Sequence, residues 1–157
     1  MSEKEDSYIG GEKEAQREAE GQIKRVWFEV GGEPFGKERP RVAGHAYTPK
    51  KTKDKEEEIA LTYKSIYHGF KFEKGVPLKV EMDFYFGIPK ATSKKKRVGM
   101  EKGEVRPTKR PDIDNVQKLV LDASNGVVWA DDSQVVEVVA RKHWSDRPRI
   151  EVGVMEI

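Results

Sequence analysis

The residues able to do chemistry concentrate between positions 110 and 134. There the chain reads Arg-Pro-Asp-Ile-Asp-Asn-Val-Gln-Lys-Leu-Val-Leu-Asp-Ala-Ser-Asn-Gly and then Val-Val-Trp-Ala-Asp-Asp-Ser-Gln. Pro111 favours an extended or first-turn backbone, which puts Asp112 and Asp114 at a helix entrance. Residues two apart in extended chain point to the same side. Two carboxylates held that close repel each other unless a cation joins them or one is protonated. Asp114, Lys118 and Asp122 follow at i, i+4 and i+8, one polar stripe on a helix. Asp131 and Asp132 come after a short turn and are expected to return to the same end of the sheet. Hard oxygen donors of this kind select Mg²⁺, with Mn²⁺ as a substitute. Such an ion activates water and neutralises charge on a phosphodiester under in-line attack. Lys118 is placed to orient the water or stabilise the charge that develops.

Each element also has a plain structural reading. Asp114–Lys118–Asp122 can be solvated ion pairs, Asp112 a helix cap, and Asp131-Asp132 a turn. Their concurrence beside two basic segments favours the chemical one. An EF-hand is excluded, because a loop starting at Asp112 would put Val116 and Gln117 where a ligand and a glycine are required.

The 157 residues include 30 Lys and Arg against 28 Asp and Glu, a net charge of +2, and no Cys. That length fits one domain with a real core. The lack of Cys excludes disulfides, thiolate nucleophiles and thiolate-held metals. The charged start is no signal peptide, and no long apolar run exists, so a cytoplasmic protein without a membrane partner is expected. The near-neutral total hides segregation. Lys37, Arg39, Arg41, Lys50, Lys51, Lys53 and Lys55 form one basic block, and a second runs from Lys90 to Arg110 through Lys94-Lys95-Lys96-Arg97. The acidic stretch lies between that second block and the C-terminal strands. Lys37, Arg39, Arg41, Lys94, Lys95, Lys96, Arg97 and Arg110 are therefore candidate DNA contacts through phosphate neutralisation. His45, His68 and His143 are dispersed and form no metal-ligand pattern. Trp27, Trp129 and Trp144 read as packing residues.

Elements must bring these groups together. Residues 1–22 read as a flexible polar extension, and the domain as residues 23–157. A strand is expected over 23–30, then a loop over 34–49. A helix capped by Thr52 should follow, with Ile59, Tyr63, Ile66, Tyr67 and Phe70 at helical spacing. Residues 76–86 alternate apolar and polar without a break and predict a half-buried strand. Residues 87–110 read as a long basic loop, residues 113–125 as a helix stopped at Asn125-Gly126, and residues 127–129 as extended chain. Two strands over 134–143 and 150–157 should pair as a hairpin through Ser145-Asp146-Arg147-Pro148. The order implies an α+β (mixed α/β) single domain with one mixed sheet and about two main helices.

Asp112-x-Asp114-Asn115-x-x-Lys118-x-x-x-Asp122-x-x-Asn125-Gly126, with Asp131-Asp132-Ser133-Gln134 downstream, closely resembles the RusA family of Holliday junction resolvases. Gly36-Lys37-Glu38-Arg39-Pro40-Arg41 with Tyr47-Thr48-Pro49 resembles the family's basic loop after its first strand. The resemblance covers about residues 26–157 and implies a Mg²⁺-dependent endonuclease acting as a homodimer on four-way DNA junctions in recombination and repair. It makes Asp112, Asp114 and Asp132 essential metal-binding carboxylates, Asp131 an auxiliary ligand and Lys118 a functional lysine. A less selective flap or fork nuclease and a non-catalytic junction-binding protein are the alternatives.

Overall fold

The computed structural model describes residues 23–157, so the expected N-terminal extension lies outside the described residues. The architecture is mixed α+β. The strand expected over 23–30 forms as β1 (Arg25–Gly31), followed by a short ribbon of β2 (Arg41–Ala43) and β3 (His45–Tyr47). Helix α1 (Lys50–Tyr67), strand β4 (Leu78–Gly87), and helices α2 (Lys94–Glu101) and α3 (Ile113–Ser124) come next. A 3-10 turn, Asp132–Gln134, leads into β5 (Val135–Ser145), and β6 (Arg149–Glu156) ends the domain.

The main sheet has the order β1-β6-β4-β5. Strand β4 alternates strictly between buried and half-buried positions along its 10 residues, as its sequence demands. Its inward side chains Leu78, Val80, Met82, Phe84 and Phe86 join Val26, Phe28, Val30, Ile150, Val152 and Val154 in one apolar layer. Ile59 and Tyr63 of α1 and Val116, Leu119, Val120 and Ala123 of α3 cover that layer. On the face opposite that layer, Glu29, Glu81, Asp83 and Glu151 are paired with Lys79, Arg141, Arg147 and Arg149. Trp27 lies there too, 46% exposed, whereas Trp129 is fully buried.

Strands β5 and β6 do not form the expected hairpin. β4 lies between them, parallel to β5 and antiparallel to β6. The Asp146–Pro148 link crosses two strand spacings, roughly 9.6 Å, over the end of β4. It is held by Arg97–Asp146 at 2.7 Å and by Gly32 N–H donating to Pro148 O at 3.1 Å. A local turn signal cannot reveal this, because a long strand pairing on both edges outcompetes a two-strand hairpin.

Other expectations are corrected more locally. Thr52 is no cap: α1 starts two residues earlier after Pro49, and Thr52 is buried, its hydroxyl facing Glu38 N at 3.4 Å. Ile66 is 40% exposed, and α1 relies on Ile59 and Tyr63 instead. The 34–49 loop contains the β2–β3 ribbon, turned at Gly44 with φ +81°. The 87–110 loop contains α2, capped by the Ser93 hydroxyl on Lys96 N–H at 3.3 Å. Residues 126–128 form a turn, with only Trp129 making bridge contacts. No helix among the described residues is long and apolar enough to cross a membrane.

Tyr67 closes part of the β1 edge. Its hydroxyl accepts from Trp27 N–H at 2.9 Å and donates to Trp27 O at 2.8 Å. Lys55 Nζ donates to Gly31 O at 3.0 Å.

Candidate active site

Strands β1, β4 and β5 run parallel, so Gly31, Gly87 and Ser145 leave the sheet at one end. The first turn of α3 lies at that end, beside Lys142 of β5. Asp112 is the N-cap of α3, yet its carboxylate makes no capping bond. Asp114 is in the first turn, where the positive end of the helix dipole favours a carboxylate. Both are exposed, and neither carboxylate makes a hydrogen bond or ion pair among the described residues. They line an open cleft of about 660 Å³ together with Arg106, Thr108, Lys109, Arg141 and Lys142.

Two carboxylates without internal partners are a donor set suited to Mg²⁺, which takes one or two carboxylates and completes its shell with water and phosphate oxygens. The residues present therefore fit the ion. No group of three or more His, Asp or Glu among the described residues could hold a metal by itself.

The expected return of Asp131 and Asp132 to the same end does not occur. The 12-residue helix α3 separates the two carboxylate pairs, a length of about 18 Å at 1.5 Å per residue. Asp132 precedes β5, whereas Lys142 beside Asp112 lies far along that strand. Asp132 Oδ1 accepts from Trp129 Nε1 at 2.8 Å. Asp131 caps the 3-10 turn, and the Ser133 backbone N–H holds its carboxyl below the usual carboxylate range. Buried Gln134 completes that capping box and donates to Glu73 O and Val76 O at 2.7 and 3.2 Å.

The other expected residues divide by their partners. Lys118 is exposed one turn beyond Asp114. Lys37 bonds to Asp122 and meets Glu56 at 3.0 Å. Burial opposes its charge, but the two carboxylates outweigh that and raise its pKa above the ordinary lysine value. Its backbone N–H donates to Asn115 O at 3.0 Å, pinning the base of the ribbon to α3. Arg39 and Arg110 are exposed, and Arg41 lies 3.5 Å from Glu38. Lys94, Lys95 and Lys96 project from α2, while Arg97 is held by Asp146.

Gly36 makes the close approach of ribbon and helix possible. A Cβ there would lie 2.9 Å from Asn115 Cβ and 3.2 Å from Pro111 Cβ, neither of which is a flexible chain end. Gly36→Ala is expected to lower stability by about 1–3 kcal/mol through overpacking. Urea unfolding checks this; an unchanged midpoint would show that the two segments separate freely.

Sequence reasoning missed Arg106, Arg141 and Lys142 as cleft residues. For Lys142 a signal existed. Val138, Ala140 and Trp144 pack against the core, and Lys142 falls in phase with them. A cation at an inward-facing strand position calls for a partner.

Comparison with known proteins agrees with the motif. The family model described as Endodeoxyribonuclease RusA matches residues 31–155. The chain is 37% identical over 139 residues to YqaN of Bacillus subtilis (strain 168), an uncharacterized protein, covering 84% of this chain and 96% of that one. It is also 37% identical over 87 residues to the crossover junction endodeoxyribonuclease rusA of Lactococcus phage r1t, covering 55% of this chain and 60% of the phage protein.

Proposed function

From the premise that this chain belongs to the RusA endodeoxyribonuclease family, we propose that it is a Mg²⁺-dependent endodeoxyribonuclease that resolves four-way DNA junctions. The observation that carries this reading is the cleft, which Asp112 and Asp114 line together with Arg106, Lys109, Arg141 and Lys142. Carboxylates alone would repel a phosphodiester, and cations alone would only bind it. Together they suit a phosphodiester approached by a divalent ion, and Mn²⁺ should substitute for Mg²⁺. When bound, the ion supplies an activated water and neutralises developing charge. Asp112 and Asp114 hold it, while Arg106, Lys109 and Arg141 take non-bridging phosphate oxygens. Lys118 supports the charge that develops at the reacting phosphate. The products are 5′-phosphate and 3′-hydroxyl ends.

The working unit is a homodimer. A four-way junction presents two symmetry-related phosphates, and a twofold pair presents two equivalent sites. A helix length separates Asp132 from the Asp112–Asp114 cleft within one chain. Asp132 therefore acts from a second copy, with Asp131 beside it as an auxiliary ligand.

DNA is held by Lys37, Arg39, Arg41, Arg110 and the α2 cations. Lys94, Lys95 and Lys96 are exposed and carry no ion pair among the described residues, while Lys37 also anchors the ribbon. Replacing those three α2 lysines with Gln should weaken junction binding. It should also reduce the slope of log K against log salt by roughly 2–3, about 0.9 for each phosphate no longer neutralised. An unchanged slope would remove α2 from the DNA surface.

The direct test is a synthetic mobile junction incubated across a Mg²⁺ series, with both nicks mapped. Symmetric paired nicks are expected. Equal cutting of flaps, forks and junctions would favour the less selective nuclease, and tight binding without nicks at any Mg²⁺ or Mn²⁺ concentration would leave a junction-binding protein.

A further inference from the structure

Lys142 lies on the edge strand β5 with its side chain on the apolar side of the sheet, where its Nζ stands 5.3 Å from the Phe86 ring centre. No carboxylate pairs with it among the described residues. Its ammonium instead donates to Lys109 O at 2.6 Å and Pro111 O at 3.0 Å. The second acceptor is the carbonyl immediately before Asp112. An ammonium has three N–H donors, so one remains for the cleft that Lys142 shares with Asp112 and Asp114.

The same short segment is gripped a second time. Arg106 Nη1 donates to Lys142 O and to His143 Nδ1, both at 2.9 Å. An arginine N–H can only donate, so His143 Nδ1 accepts and its proton sits on Nε2, 2.6 Å from Asp83 Oδ1. The stretch from Arg106 to Pro111 is thus fastened to β5 at both ends. One of these fastenings ends on the peptide that sets the direction of Asp112.

We propose that Lys142 is a positioning residue for the Asp112–Asp114 pair: by bonding the Lys109 and Pro111 carbonyls it fixes the entrance of α3 and holds both carboxylates in a cation-binding arrangement. This rests on the reading of the cleft as a divalent-metal site. A mobile helix entrance would leave two mutually repelling carboxylates free to turn apart. Groups that orient metal ligands from behind typically change metal affinity by about 10–100-fold when removed.

The test uses the full chain and Mn²⁺ alone, with binding followed by electron paramagnetic resonance in the absence of DNA. Lys142→Met keeps the apolar stem over Phe86 and removes the donors. It is expected to weaken Mn²⁺ binding at least about tenfold. Its cleavage rate should fall most at low Mg²⁺, and the loss should shrink as Mg²⁺ is raised. Lys142→Arg, which keeps donors and charge, should restore most of the Mn²⁺ affinity. Wild-type Mn²⁺ binding by Lys142→Met would overturn the proposal, as would equal losses in the Met and Arg variants. Asp114→Asn, measured alongside, separates the two levels: if it too binds Mn²⁺ as wild type does, the metal reading itself falls. Should Lys142→Met fail to fold, Lys142→Gln, too short to reach both carbonyls, is held to the same expectation.

Discussion

Asp114→Asn is expected to reduce Mg²⁺-dependent junction cleavage by about 10³-fold or more, because on the proposed function it removes a ligand from the charge-stabilising centre. The exchange keeps the shape of the side chain and removes only its charge. Asp114 is exposed and its carboxylate has no partner among the described residues, so fold stability has little to lose. The lost favourable term is its carboxylate at the start of α3, about 0.3–1 kcal/mol at an exposed helix end. Junction affinity measured without metal should be equal or slightly tighter, since a negative charge has left a surface that faces phosphates. Single-turnover cleavage with a parallel binding titration checks both arms. Full activity with Mg²⁺ would sink the assignment of Asp114, and a parallel loss of binding would make it a DNA contact.

The second large effect is a rescue. Asp114→Asn and Asp132→Asn homodimers should each be inactive. If Asp132 serves the cleft of its partner, a mixed dimer of the two variants contains one intact site: Asp112 and Asp114 from one chain with Asp132 from the other. Mixing the inactive proteins should then recover nicking of one strand of the symmetric pair, at up to about half of the mixed population. If each cleft were built within a single chain, no mixture could cut. The expectation follows from the position of Asp131–Asp132 beyond the far end of α3, since a side chain spans only a few ångströms and the helix spans about 18 Å. Persistent inactivity after verified subunit exchange would return Asp132 to a structural role, as acceptor of the Trp129 indole N–H.

What the sequence disclosed depended on whether a signal was local. The alternation of residues 76–86 found the central strand, because the period of two follows directly from the pleat. Val116, Leu119, Val120 and Ala123 found α3 and its buried stripe, and Asn125-Gly126 found its end. The ordered carboxylates were legible as a motif, but their separation was not. Distance along a helix followed by a turn does not say which end of the sheet the chain returns to. The insertion of β4 between β5 and β6 is likewise non-local, and the Ser145–Pro148 segment reads as an ordinary turn. Helix α2 escaped because Met100 is its only buried residue and its lysine run resembles a solvated tip. Its Ser93 cap was the available signal. Lys142 escaped for the opposite reason: its phase with Val138, Ala140 and Trp144 was readable, and its charge drew it into the general basic surface.

The contacts from α1 to β1 have a consequence for assembly. An open edge strand offers a ladder on which a neighbouring molecule's strand can grow, and successive additions lead toward fibres. Here both backbone groups of Trp27 are engaged by one tyrosine hydroxyl, and Gly31 O is taken by Lys55. Part of that edge is thus closed from within its own chain, which hinders lateral strand addition on that flank. Removing a single phenolic oxygen, as in Tyr67→Phe, would uncap that flank.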